Sequence, residues 1–387
     1  MSIRGLAEKY QDYAVGIRRE FHMNPEVAMK EFRTQKRVIE ELEKMGIACE
    51  PIASTGVVGT IQGDHPGKTV ALRADMDALE IQEENDVDYK SLNKGMMHAC
   101  GHDGHMAGLL TAARILNEKR SEIKGTVKLI FQPGEEGGKG AIVAVKEGVM
   151  DTVDAILGIH LWNECQVGTV SVEPGPRMAS ASLFKIHVKG KSGHGSMPHQ
   201  GIDAAFVGAS ILVNLQAISS REIDPADPVV VSVGIFESGK SFNVIPGEAY
   251  LEGTTRCFSM KVNDGIEDQI RRIAESTAMA HRAEAILDYR QLVLPTTNDP
   301  ELSQIAQSAV IRLLGEEGNV TFDKTMAGED FSIYSQYAPA IFAFVGTQNK
   351  EKNDYYPHHH PRFDIDEDAL KISAGLYAQF AMDFLNQ

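Results

Sequence analysis

Side chains able to bind a cation or move a proton fall in a few short segments of this 387-residue chain. The densest is HACGHDGH, residues 98–105, which packs a thiol and three imidazoles into eight residues. Thiolate and neutral imidazole are the favoured ligands of zinc-like ions. A single residue between Cys100 and His102 lets both face one ion, or a pair of ions, from an extended turn. The plain alternative is a core cysteine beside surface histidines, and the local density beside Gly101, Asp103 and Gly104 weighs against it. The second segment is FQPGEEGGKGA, 131–141, which follows the apolar run VKLIF. It puts Glu135 and Glu136 in a glycine-rich loop at a strand's carboxyl end, where open α/β sheets carry their sites. Neighbouring carboxylates can divide the work, one ligating metal and the other handling protons. Elsewhere such a pair is usually a solvated surface feature. His160 closes the run AILGIH, where a lone histidine is otherwise a satisfied core residue. YYPHHHPRF, 355–363, supplies His358, His359 and His360, with a surface loop as the bland reading. Asp75 and Asp77, at the end of VALRAD, are placed to orient a ligand histidine.

The elements that would position these groups alternate. VALRAD (70–75), VKLIF (127–131) and AILGIHL (155–161) are short apolar strands of the buried kind. A helix is expected between them at 104–120, and another over residues 3–42 with one break at Asn24-Pro25. The texture changes near residue 178. SLFKIHVKG (182–190), VVVSVGIF (229–236) and AYLEGTTRCF (249–258) read as half-exposed antiparallel strands, with helices at about 202–219 and 264–282. After Pro295 the first texture returns, with a helix at 300–314, a strand at 341–347 and a terminal helix from Asp366. The fold class is therefore α/β: a discontinuous domain, 1–178 and 292–387, around a central and mostly parallel sheet, with an α+β domain, 179–291, inserted.

Composition narrows the possibilities. The formal net charge is −16. Nucleic-acid and membrane-surface partners are thus disfavoured, and a carboxylate-bearing substrate would need a local cation. Four scattered cysteines do not form a disulfide framework, no signal peptide is apparent, and no apolar stretch is long enough to span a bilayer. A cytoplasmic enzyme is the expectation.

In sequence the chain resembles the M20 family of metallopeptidases, specifically its aminoacylase and hippurate-hydrolase branch. The resemblance covers nearly the full length. It rests on RREFHMNPEVAMKEFRT (18–34), RADMDAL (73–79), MMHACGHDGH (96–105), QPGEEGGKGA (132–141) and GIHLWN (158–163). GKSGHGSMPHQGIDA (190–204), SFNVIPGEAYLEGTTR (241–256), MAGEDFS (326–332) and HHPRFDIDE (359–367) come after them in order. It implies two divalent metal ions held by Cys100, His102, Glu136, His160 and His359, with Cys100 spanning both. Manganese, zinc, cobalt and nickel remain open. His358 and His360 stay rivals of His359, because three consecutive histidines blur the register. The resemblance further gives Glu135 as general base and His194 as a histidine reaching the partner subunit's site. Asn243 and Arg256 would bind the substrate carboxylate, Gly328 would line the pocket, and the inserted domain would be a lid and dimerisation module. Glu80 stands where the branch has proline, which predicts an altered loop there.

The activity implied is hydrolysis of the amide of a small N-acyl amino acid by a homodimer. A dipeptidase or carboxypeptidase of the same fold is the alternative. A metal-independent amidase with Cys100 as nucleophile, and a non-catalytic binding module, are further ones.

Overall fold

The computed structural model describes residues 1–351 and 356–387. Tyr355, which opens the histidine tract, lies outside them. The chain divides into two units: Met1–Gly175 with Thr297–Asp323 and Asp330–Gln387, and Pro176–Thr296 with Lys324–Glu329. The junctions fall a few residues from 178 and 292. The short segment holding Gly328 belongs with the second unit, whereas the sequence had put it in the first.

The first unit is built on a seven-stranded sheet. Its centre is parallel, in the order Lys124–Gln132, His65–Asp75, Ala155–Gln166, Ala340–Gln348. The strands Ala48–Ile52 and Gly56–Gln62 extend one side antiparallel, and Val170–Ser171 closes the other. The central strands are apolar over most of their length because helices cover both faces, leaving no wet side to favour alternation. Register sets where these strands end. Asp75 lies beside Gln132, Arg73 beside Gly158, and His160 beside Phe344. The carboxyl ends of the first two strands are therefore level, with His160 in register beside them, while the third strand runs on past His160 to Gln166.

Helix His102–Glu118 starts at the first of these loops and is buried along nearly its whole length. It packs against the last helix, Asp368–Leu385, at a distance only glycine allows. A Cβ on Gly108 would lie 2.5 Å from Ser373 Oγ and one on Gly104 3.3 Å from Leu370 Cδ2, while Gly104 also faces the strand Ala155–Gln166, where its Cβ would lie 2.4 Å from Leu161 Cδ1. The amino-terminal segment is three helices, Ile3–Lys9, Gln11–Met23 and Phe32–Lys44, not two. The additional break is at Tyr10 (φ −97°, ψ 10°), with Arg114 over its ring and over that of Tyr13, a tertiary influence that periodicity does not carry.

The second unit has a four-stranded antiparallel sheet in the order Val229–Ser238, Glu248–Cys257, Ala181–Lys189, Glu284–Val293. Burial alternates strictly along Glu248–Cys257, so only one face is dry. Helices Ala204–Ala217 and Met260–Ala280 cover that face, around Phe184, Ile186, Leu251, Ile211 and Ile270. The edge strand leaves Ile235 and Phe236 exposed, and the helix beside it leaves Phe206 and Val213 exposed. Among the described residues no helix is long and apolar enough to cross a membrane.

Candidate metal centre

Five polar residues drawn from three loops, a helix start and the strand Ala155–Gln166 form two donor groups that share an atom. Cys100, His102 and His160 bring one donor each within 4.8 Å of one another, and so do Cys100, Glu136 and His359. The thiol of Cys100 thus belongs to both sets.

Backbone geometry explains how. Gly101 sits at φ +88° between Cys100 and His102, so the chain turns sharply into the helix instead of running extended as expected. Each imidazole is then oriented through its other nitrogen. His102 Nδ1 is 2.8 Å from the carbonyl of Asp77, and His160 Nδ1 is 2.9 Å from that of Leu161. These contacts assign the Nδ1–H tautomer and leave Nε2 as the lone-pair donor. His160 Nε2 lies 3.6 Å from Cys100 Sγ. His102 Nε2 is buried with no hydrogen-bond partner among the described residues, a costly arrangement for a ring nitrogen unless something binds it. A donor set of one thiol, three imidazoles and a carboxylate, with a buried nitrogen unspent, fits a pair of borderline-soft divalent cations.

The three terminal histidines differ in surroundings. His358 is turned inward, with Nε2 3.0 Å from Leu161 O and its ring 4.7 Å from that of Trp162. His360 stacks on Tyr356 and accepts the Arg362 N–H. His359 alone of the three has Nε2 3.2 Å from Glu136. Its backbone sits at φ +66°, uncommon for a residue with a Cβ, held there by its N–H to Ala99 O at 2.8 Å.

Charges follow the geometry. Burial, then Glu136, pushes the Cys100 thiol up. Burial drives His160 well below its ordinary range, helped by His105 and His358. Hydrogen bonds with Cys100 and Glu136 push His359 up to about 10. Glu136 is lowered despite burial, through His359 and His102. A sulfur held as neutral thiol is a poor metal-free nucleophile.

Glu135 lies beside this centre. Its carboxylate accepts the Asp330 N–H at 3.4 Å. The loop beneath is pinned by Asp77, whose two carboxylate oxygens each accept a backbone N–H at 3.0 Å, from Glu135 and from Glu136. Asp75 does not serve His102 as directly. It bonds His105 Nδ1 at 2.6 Å, while His105 Nε2 accepts the Leu161 N–H. His105 is thereby fully spent, and His98 is buried apart from the donors, so only one of the three imidazoles in HACGHDGH joins them.

Sequence reading singled out none of the supporting residues beyond Asp75 and Asp77. Arg73, fully buried, bonds Gln132, Asp75 and Asp330. Asp330 also accepts from Gln132 and from the Ala141 N–H. The available signal was an arginine inside an otherwise apolar strand, which demands a buried acid.

The remaining sequence-derived residues lie in the second unit. His194 is exposed in a two-residue strand paired with Val244–Ile245, its Nδ1 2.8 Å from the Ser196 hydroxyl. Asn243 is exposed nearby, its carbonyl accepting the Gly195 N–H. Arg256 is half-buried. It bonds the Thr254 hydroxyl and the Thr255 carbonyl, is lowered by burial, and has no acidic partner among the described residues. Gly328 packs where a Cβ would lie 2.8 Å from Val293.

Comparison with known proteins agrees with this architecture. The profile of Peptidase family M20/M25/M40 matches residues 71–383. The chain is 42% identical to Thermostable carboxypeptidase 2 of Saccharolobus solfataricus, covering 100% of this chain and 98% of the relative. It is also 42% identical to IAA-amino acid hydrolase ILR1-like 4 of Arabidopsis thaliana, covering 97% and 86%. In structure it is similar to the Bacillus subtilis YXEP protein, described as a dinuclear metal binding peptidase from the M20 family, with a TM-score of 0.86, 34% identity, and coverage of 98% and 99%. The chain belongs to the M20 peptidase family, as its motifs led one to expect, and is a hydrolase of that family.

Proposed function

We propose that this protein is a two-metal amidohydrolase that cleaves the amide of N-acyl amino acids. The observation that carries the proposal is the sharing of Cys100 by two donor groups. One cation would be held by Cys100, His102 and His160, and the other by Cys100, Glu136 and His359. The similarity to a dinuclear M20 protein supports that count. When bound, such a pair acidifies water and polarises a carbonyl oxygen.

The chain's own residues supply the rest. Glu135, its loop fixed by Asp77, accepts a proton from the attacking water and passes it to the leaving nitrogen. His194 donates to the developing oxyanion. In this reading it does so from the partner of a homodimer formed through the inserted unit, and the exposed Phe206, Val213, Ile235 and Phe236 support such a contact. Arg256 and Asn243 receive the amino-acid carboxylate, and Gly328 lines the pocket. The guanidinium's lack of an acidic partner among the described residues, in a chain of net charge −16, supports a role as the local cation. Four cysteines, with no disulfide among the described residues, support a reducing, cytoplasmic setting.

The second reading, peptide cleavage, is favoured by the likeness to a carboxypeptidase. A panel of N-acetyl, N-benzoyl and dipeptide substrates, with Mn²⁺ or Zn²⁺ restored after chelation, separates the two. Glu135→Gln should keep its metal and lose about 10²–10⁴-fold in kcat. Activity within about tenfold of wild type would remove Glu135 from its role. Activity surviving chelation would favour a Cys100 nucleophile.

A further inference from the structure

We propose that Glu31 is a positioning residue for the loop that carries Glu135. The proposal rests on the reading of Glu135 as general base. Glu31 is wholly buried, yet no cation pairs with it among the described residues. One of its oxygens accepts two backbone N–H groups, from Met29 at 2.9 Å and from Gly134 at 2.9 Å. The other accepts the Thr55 hydroxyl at 2.5 Å. Met29, Gly134, and the Ala53 and Ser54 that precede Thr55, all have positive φ: 61°, 65°, 46° and 72°. Three of these four carry a Cβ, so the conformation is strained and must be imposed by its surroundings. A single carboxylate ties these two strained turns to the Gly134 loop.

The consequence falls on the loop. Gly134, Glu135 and Glu136 present three successive N–H groups. Glu31 takes the first, and the two oxygens of Asp77 take the second and third. On its far side the Gly134 carbonyl accepts the Gly140 N–H at 3.2 Å. Gly134 also lies against the Met29 side chain, where a Cβ would come within 2.7 Å of Met29 Sδ. Removing Glu31 frees the loop at its first residue, one position before the base. Burial also raises the Glu31 carboxyl, and an apolar side chain of similar size would fill the space without making these three hydrogen bonds. A misplacement of about an ångström at a catalytic base can cost about 10²-fold in rate.

The test compares Glu31→Ala, Glu31→Gln and Glu31→Asp as folded, fully metal-loaded enzymes acting on an N-acetyl amino acid. Glu31→Ala should lower kcat by about tenfold or more with KM within about threefold of wild type. In the metal-free protein, deuterium uptake across residues 132–139 should rise. Glu31→Gln should restore both, because its amide oxygen can still accept from Met29 and Gly134. A merely structural role predicts a lower Tm with unchanged kcat and unchanged exchange, and that result overturns the proposal. Should Glu31→Ala fail to fold, Glu31→Asp, one methylene short, must show the same two losses, and wild-type values there overturn it equally. In a Glu135→Gln background, Glu31→Ala should cost no further turnover, whereas additive losses would place its action elsewhere. A fully active Glu135→Gln enzyme would instead sink the general-base reading, leaving the exchange result to judge the loop contact alone.

Discussion

The two units treat their polar residues in opposite ways. In the first, His102 and His160 are buried and fixed through their second nitrogen, and Glu135 sits on a loop whose N–H groups are already committed. In the second, His194 and Asn243 are exposed, and Arg256 has only neutral oxygens to bond among the described residues. Chemistry that depends on sub-ångström placement is set in the rigid unit before anything binds. The groups that the proposed function assigns to ligand recognition are exposed or half-buried in the second unit. A buried scaffold is costly to disturb anywhere, and an exposed recognition group only where it touches its target.

The sharpest way to break that contrast is to attack the buried scaffold behind the donor groups. Arg18 is fully buried and pairs with Asp103 at 2.7 Å, next to His102, while His22 bonds the same carboxylate. Arg18→Met strands a buried charge and should cost about 3–5 kcal/mol in urea unfolding. The pH dependence has a definite sign. Burial would raise Asp103, but Arg18 and His22 outweigh it and hold the carboxyl well below its usual range. Its contribution is therefore complete above the unfolded carboxylate value near pH ~4 and is lost as pH falls below that. Wild-type stability should drop from about pH 5 to about pH 3, and the Met variant should drop less. Equal slopes would mean that Asp103 is not held by Arg18.

A smaller effect is expected from the recognition side. Arg256→Met should raise KM about 10–100-fold, with Tm and metal content unchanged. A fall in kcat alone would contradict the carboxylate clamp. The mildest test mixes two inactive proteins, His194→Ala and Glu135→Gln. If His194 serves the partner's site, random pairing should return about a quarter of wild-type activity. No recovery in proven heterodimers would assign it to its own subunit.

Much of this centre was readable from sequence because strand ends are where apolar runs stop. VALRAD and VKLIF each marked such an end, and Asp75, Glu135 and Glu136 fell at or just past it, whereas the strand of AILGIH runs on past His160 to Gln166. What escaped reading depends on partners far along the chain. Arg73 and Asp330 are 257 positions apart, and nothing local couples them. The antiparallel strands Ala48–Ile52 and Gly56–Gln62 carry glycine, proline and threonine, which blur their pattern. Glu284–Val293 is a sheet edge with mixed burial. His358, His359 and His360 are chemically identical, and only their folded surroundings, with the left-handed backbone at His359 and its approach to Glu136, tell them apart.

The close seating of helix His102–Glu118 on Asp368–Leu385 has a bearing on biosynthesis. Strand Ala340–Gln348 must insert beside Ala155–Gln166, and the terminal helix must then dock behind Gly104 and Gly108. Neither event can happen while those segments are still inside the ribosome. The thiol and imidazoles near residue 100 are therefore synthesised well before the strand and helix that complete their surroundings.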